Sequence, residues 1–159
     1  MKKVILISLF ILSCVMLLAQ TGMFNISFGQ DYQTAVSSLL KQGFTQTDTT
    51  STSRTFVNSK IPSLAKLQLR DTYSEKKVSG WTMYYRVGGD EAVIKDFKDK
   101  LDALHKVTSY YDDYYDEEVW ELNDTYAIYF YTLDYDETLV IEYTELSDDD
   151  YYYDDDYWY

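Results

Sequence analysis

Asn25-Ile26-Ser27-Phe28-Gly29-Gln30-Asp31-Tyr32-Gln33-Thr34-Ala35-Val36-Ser37-Ser38-Leu39-Leu40-Lys41-Gln42-Gly43-Phe44 is the stretch whose reading decides the fold. Phe24, Ile26 and Phe28 alternate with Asn25 and Ser27, the period-two pattern of a half-buried strand. Asp31 then stands where a helix N-cap is needed, with a carboxylate able to accept the orphan N–H groups of a first turn. Tyr32, Ala35, Val36, Leu39 and Leu40 recur on one helical face, and Gly43 supplies a left-handed stop.

Val87-Gly88-Gly89-Asp90 repeats this junction 59 residues later. Asp90 caps a second helix whose inner face would be Val93, Ile94, Phe97, Leu101 and Leu104, with alternating Lys and Asp on its solvent side. Between the helices, Thr45–Thr55 suits edge strands joined by a polar turn, and Ala65, Leu67 and Leu69 alternate as in a strand. Trp81–Val87 reads as a long strand, followed beyond the second helix by Val107–Tyr111, Val119–Leu122, Thr125–Leu133 and Thr138–Glu145. The expected class is α+β: two strand–helix–multi-strand units, helices packed on an antiparallel sheet, and an acidic, disordered C-terminal tail. The expected division is a leader over 1–19, one α+β domain over 20–146 with halves at 23–77 and 78–146, and a tail over 147–159.

The run from Asn25 to Phe44 resembles the opening of short exported bacterial proteins in which such a unit is often doubled. The architecture is also similar to the tandem halves of beta-lactamase inhibitor protein. That resemblance implies two related halves and carries over no functional residue.

Lys2 and Lys3 precede 16 apolar residues, Val4–Ala19, short of the about 20 that a spanning helix needs. The pattern is that of a signal peptide with cleavage before Gln20, leaving a charge of −15 and no stable membrane span. Ile11-Leu12-Ser13-Cys14 is an alternative lipoprotein box, and an uncleaved anchor is a third reading. Each places the chain in an exported, periplasmic or extracellular compartment. Cys14 is the only cysteine, so no intrachain disulfide can form.

The chain carries 14 Lys and Arg against 27 Asp and Glu, a net charge of −13. The imbalance is uneven, since residues 1–106 sum to +5 and residues 107–159, which contain no Lys or Arg, to −18. A nucleic-acid binder needs a basic face and is not expected. One His and no Cys beyond the leader exclude Cys–His catalysis and a zinc cluster, and nucleotide-binding glycine motifs do not occur. His105, at the end of a helix, is expected to favour the negative end of the helix dipole. No enzyme is expected.

Candidate binding residues are therefore aromatic and acidic. Tyr126-Ala127-Ile128-Tyr129-Phe130-Tyr131 would turn Tyr126, Ile128 and Phe130 one way and Ala127, Tyr129 and Tyr131 the other. Tyr129, Tyr131 and Tyr143, with Tyr151, Tyr152, Tyr153 and Trp158 of the tail, are the expected partner-binding residues. The partner would be a basic protein or cationic surface component, bound as an inhibitor or immunity protein binds its target. No cofactor is expected. The alternative is an envelope module binding calcium or cell-surface material through Asp148, Asp149, Asp150, Asp154, Asp155 and Asp156.

Overall fold

The computed structural model describes residues 21–72, 74–133 and 137–146. Residues 1–20, with Cys14, and residues 147–159, with Asp148 to Trp158, lie outside the described residues. The α+β class is present as an eight-stranded antiparallel sheet with two helices. Helix α1 (Tyr32–Lys41) precedes β1 (Thr45–Thr49), β2 (Ser53–Val57), β3 (Leu64–Asp71) and β4 (Val78–Arg86). Helix α2 (Glu91–His105) precedes β5 (Tyr110–Asp112), β6 (Glu117–Glu121), β7 (Tyr126–Leu133) and β8 (Thr138–Glu145). The strand order β1-β2-β3-β4-β8-β7-β6-β5 makes each unit a helix followed by a four-strand meander, joined through their last strands. Strand β4 pairs with β3 and completes the first meander, and Val87–Asp90 leads from it into α2.

Both helix starts follow from their caps. The Asp31 carboxylate accepts from Thr34 N at 2.7 Å, and that of Asp90 from Ala92 N at 2.9 Å. At the far end of α1, Gly43 has φ 91°. Its N–H reaches Leu40 O while Phe44 N–H reaches Leu39 O, closing the turn with two apolar neighbours buried beneath it.

The expected strand over Phe24–Phe28 is not formed. Met23–Asn25 make a 3-10 turn in which Phe24 and Asn25 adopt positive φ, and the chain folds back so that Gly22 N–H donates to Ile26 O. The alternation did mark burial: Ile26 and Phe28 lie in the core. No sheet edge is available to them, since this segment lies against Trp81 and Tyr143 in the middle of the sheet, and β4 already has β3 and β8 as neighbours.

Alternate residues of the sheet point to the helices. Leu67, Met83, Ile141 and Phe130 form one row in register, and Leu69, Trp81, Tyr143, Ile128 and Trp120 the next. Ala35, Val36 and Leu39 of α1 pack against these rows, as does Leu101 of α2. Two expected inner positions stay outside: Leu40 is 47% and Leu104 48% exposed. At the end of α2 it is His105, one turn beyond Leu101, that turns to the sheet.

Tyr143 was expected on the opposite face and is instead a core residue, 0% exposed. Its pairing with Ile128 and Trp81 fixes the side, because directly paired residues share a face. Its ring stacks on Trp81 at 4.3 Å, and its hydroxyl meets His105 Nε2 at 2.9 Å. Burial lowers the His105 pKa to about 4. A neutral imidazole therefore replaces the expected charge at the helix terminus, because desolvation outweighs the dipole.

Candidate functional site

The face of the sheet turned away from both helices carries the other parity of each strand. Tyr84, between inward Met83 and Tyr85, lies there beside Val140 of β8, and Tyr131 follows on β7. Thr82, Glu142, Tyr129, Val119 and Tyr110 form the adjacent row across five strands. Tyr129 and Tyr131 therefore stand on the helix-free face, as their parity requires, and Tyr84 and Tyr110 join them. Thr82, Val119, Ala127 and Val140 are buried on this side even though neither helix packs there.

One cation organises its middle. Arg70 of β3 reaches across β4 to Glu142 at 2.9 Å, to the Tyr143 carbonyl at 3.1 Å and to Thr82 Oγ1 at 2.7 Å. Gly80 makes the crossing possible, since a Cβ there would meet the Arg70 guanidinium and the Tyr143 carbonyl, each at 2.6 Å. Lys66 stands 4.1 Å from the ring centre of Tyr84.

The pKa values of Tyr131, Tyr110 and Tyr84 are raised. Burial, then the carboxylates of Glu142 and Glu117 with Tyr84 nearby, pushes Tyr131 up to about 12, with Arg70 opposing. Tyr110 also rises to about 12, first from burial and then from its hydrogen bond to Glu121 at 3.1 Å. Tyr84 rises through burial and Glu142. The face thus presents phenol donors among carboxylates, with burial making the larger part of these shifts and the carboxylates the smaller.

The β5–β6 hairpin extends this surface. Tyr110, Tyr111, Tyr114 and Tyr115 are 48%, 53%, 72% and 59% exposed, an unusual concentration of large rings in water. Tyr114 and Tyr115 meet edge to face at 4.7 Å. The acidic residues here do not converge on one point. Asp112 accepts from the Tyr114 and Tyr115 N–H groups, Asp116 accepts from the Tyr111 hydroxyl, and Glu118 turns to the helix side to pair with Lys98. Among the described residues no group of three or more His, Cys, Asp or Glu is placed to hold a metal ion.

Sequence reasoning missed Tyr84, Tyr110 and Arg70. Parity beside Met83 would have found Tyr84. Tyr110 needed the pairing of β5 with β6, and Arg70 needed the gap at Gly80, which no local pattern reveals. Among the described residues no helix is long and apolar enough to cross a membrane. Comparison with known families, with curated proteins and with solved structures yields no match.

Proposed function

We propose that the protein is a non-enzymatic binding protein that docks a basic protein partner on its helix-free face and β5–β6 hairpin, in the manner of an inhibitor or immunity protein. The carrying observation is that Tyr84, Tyr110, Tyr129 and Tyr131 share one face with Glu121 and Glu142, beside three further exposed tyrosines of the hairpin, Tyr111, Tyr114 and Tyr115. Beyond Lys106 the second unit has no Lys or Arg to compete for these groups. Tyrosine offers large contact area at low entropic cost, and the net negative charge of the second unit speeds encounter with a cationic surface. Tyr143 has no part in this reading, because it is fully buried.

Capture from an envelope extract on immobilised full-length protein tests it, with two variants alongside. One carries Tyr129→Ser and Tyr131→Ser; the other carries Asp112→Asn, Asp113→Asn and Asp116→Asn. A basic protein retained by wild type, weakened by either variant and released by salt supports the reading. Capture indifferent to both variants and to salt overturns it. A chain truncated before Asp148 in the same experiment separates the tail's share from that of the sheet face.

A further inference from the structure

At the opposite end of the molecule from the β5–β6 hairpin, the start of α1, the β1–β2 turn and the β3–β4 turn enclose a pocket of about 230 Å³. Tyr32, Thr50, Ser53, Arg54, Asp71 and Lys76 line it. Asp71 is its unusual member. Its side chain is 6% exposed, and Oδ2 meets Lys76 Nζ at 3.3 Å. Oδ1 is buried with no hydrogen-bond partner among the described residues. A carboxylate oxygen left in that state is costly, and a turn of the side chain that opens it to the pocket would let an incoming N–H donor satisfy it.

Arg54 adds a cation to the same pocket. Arg54 lies 5.4 Å from the ring centre of Tyr32 and reaches Gln33 Oε1 at a long 3.4 Å, and it forms no salt bridge among the described residues. Its planar fork suits a carboxylate. Thr50 and Ser53, whose hydroxyls lie 2.8 Å apart, also line the pocket. A buried acceptor and a cationic fork in one pocket complement a ligand with an ammonium at one end and a carboxylate at the other. We propose that this pocket binds a free amino acid, with the ammonium on Asp71 and the carboxylate on Arg54. The pocket uses residues of the first unit only and is independent of the partner-binding face.

Amide NMR titration of the full-length protein with glycine, N-acetylglycine, glycinamide and glycine betaine tests it. Glycine is expected to shift the amides of residues 49–54 and 71–76 with an affinity of about 1 mM, as suits so small a ligand. N-acetylglycine lacks the cation and betaine lacks N–H donors, so both should bind at least about tenfold more weakly, and glycinamide should lose a similar factor. Arg54→Gln, on a half-buried side chain, should reproduce the glycinamide loss for glycine, and Asp71→Asn should reproduce the betaine loss. Betaine binding as well as glycine, or no shift with any of the four compounds, overturns the proposal.

Discussion

The Tyr143 hydroxyl lies 2.9 Å from His105 Nε2 and ties the last residue of α2 to the middle of the sheet. The imidazole tautomer sets which of the two groups donates in this bond. Burial lowers the His105 pKa from 6.5 to about 4. The unfolded chain therefore takes up the proton first as pH falls. The stability linked to this group is fully present above pH 6.5 and is lost as pH falls toward 4. Within that window each pH unit removes less than the ~1.4 kcal/mol of a full proton difference, since the half-buried ring retains some solvent. Urea unfolding at pH 7 and pH 5 should show the decline, and His105→Gln should flatten it. An unchanged slope in that variant would show that other groups govern the window.

Arg70 and Gly80 form a second coupled pair. Gly80→Ala places a methyl group 2.6 Å from the Tyr143 carbonyl, which is backbone at the seam between the two units. Overpacking of this kind costs about 1–3 kcal/mol. The same methyl group displaces the Arg70 guanidinium, so part of the loss is that of the Arg70 bonds to Glu142 and Thr82. Arg70→Ala should therefore cost less in the Gly80→Ala background than in wild type, by roughly 1 kcal/mol. Denaturant midpoints of the four proteins give the coupling directly. Strict additivity would show that Gly80 does not serve the crossing.

These two pairs also mark the limits of what was legible beforehand. Both helices and their caps were readable, because a cap and an apolar stripe are local patterns: Asp31 and Asp90 do what their positions required. Thr138–Glu145 was found to the residue. The segment at Phe24–Phe28 had strand alternation and no partner, since a strand needs an edge and the sheet centre offered none. Tyr143 was misplaced because its face depends on the register of β8 against β4 and β7, a relation between distant segments. The exposed tyrosines of the hairpin were not singled out beforehand, and the helix-free face that joins Tyr84 and Tyr110 to Tyr129 and Tyr131 exists only through strand pairing.

Trp120 reports how firmly α2 is seated. Its side chain is 0% exposed, and Nε1 donates to Asp102 Oδ1 at 2.7 Å, linking β6 to the helix. Trp120→Phe keeps an aromatic ring against Phe130 but removes the donor. A double-mutant cycle with Asp102→Ala should return a coupling of about 1.5–3 kcal/mol, the range for hydrogen bonds to charged groups. Because Asp102 is otherwise exposed, Asp102→Ala alone should cost little once Trp120 is Phe. A coupling near zero would mean that the bond is exchanged for water without loss.

Tyr110 gives the most direct reading of the electrostatics on the proposed binding face. Its pKa of about 12 owes most to burial, then to its hydrogen bond and proximity to Glu121, with Tyr129 and Asp112 adding smaller amounts. Glu121→Gln removes a negative charge that opposes phenolate formation, so the Tyr110 pKa must fall. It should remain above 10, because the burial contribution is untouched. Carbon NMR of Cζ-labelled tyrosine across alkaline pH resolves the two proteins, with Tyr131 as an internal reference that Glu121 does not influence. A cationic peptide bound on this face should act in the same direction on both tyrosines, since each is raised in part by neighbouring carboxylates. A peptide that leaves Tyr110 and Tyr131 unmoved while still binding would place the contact elsewhere on the molecule.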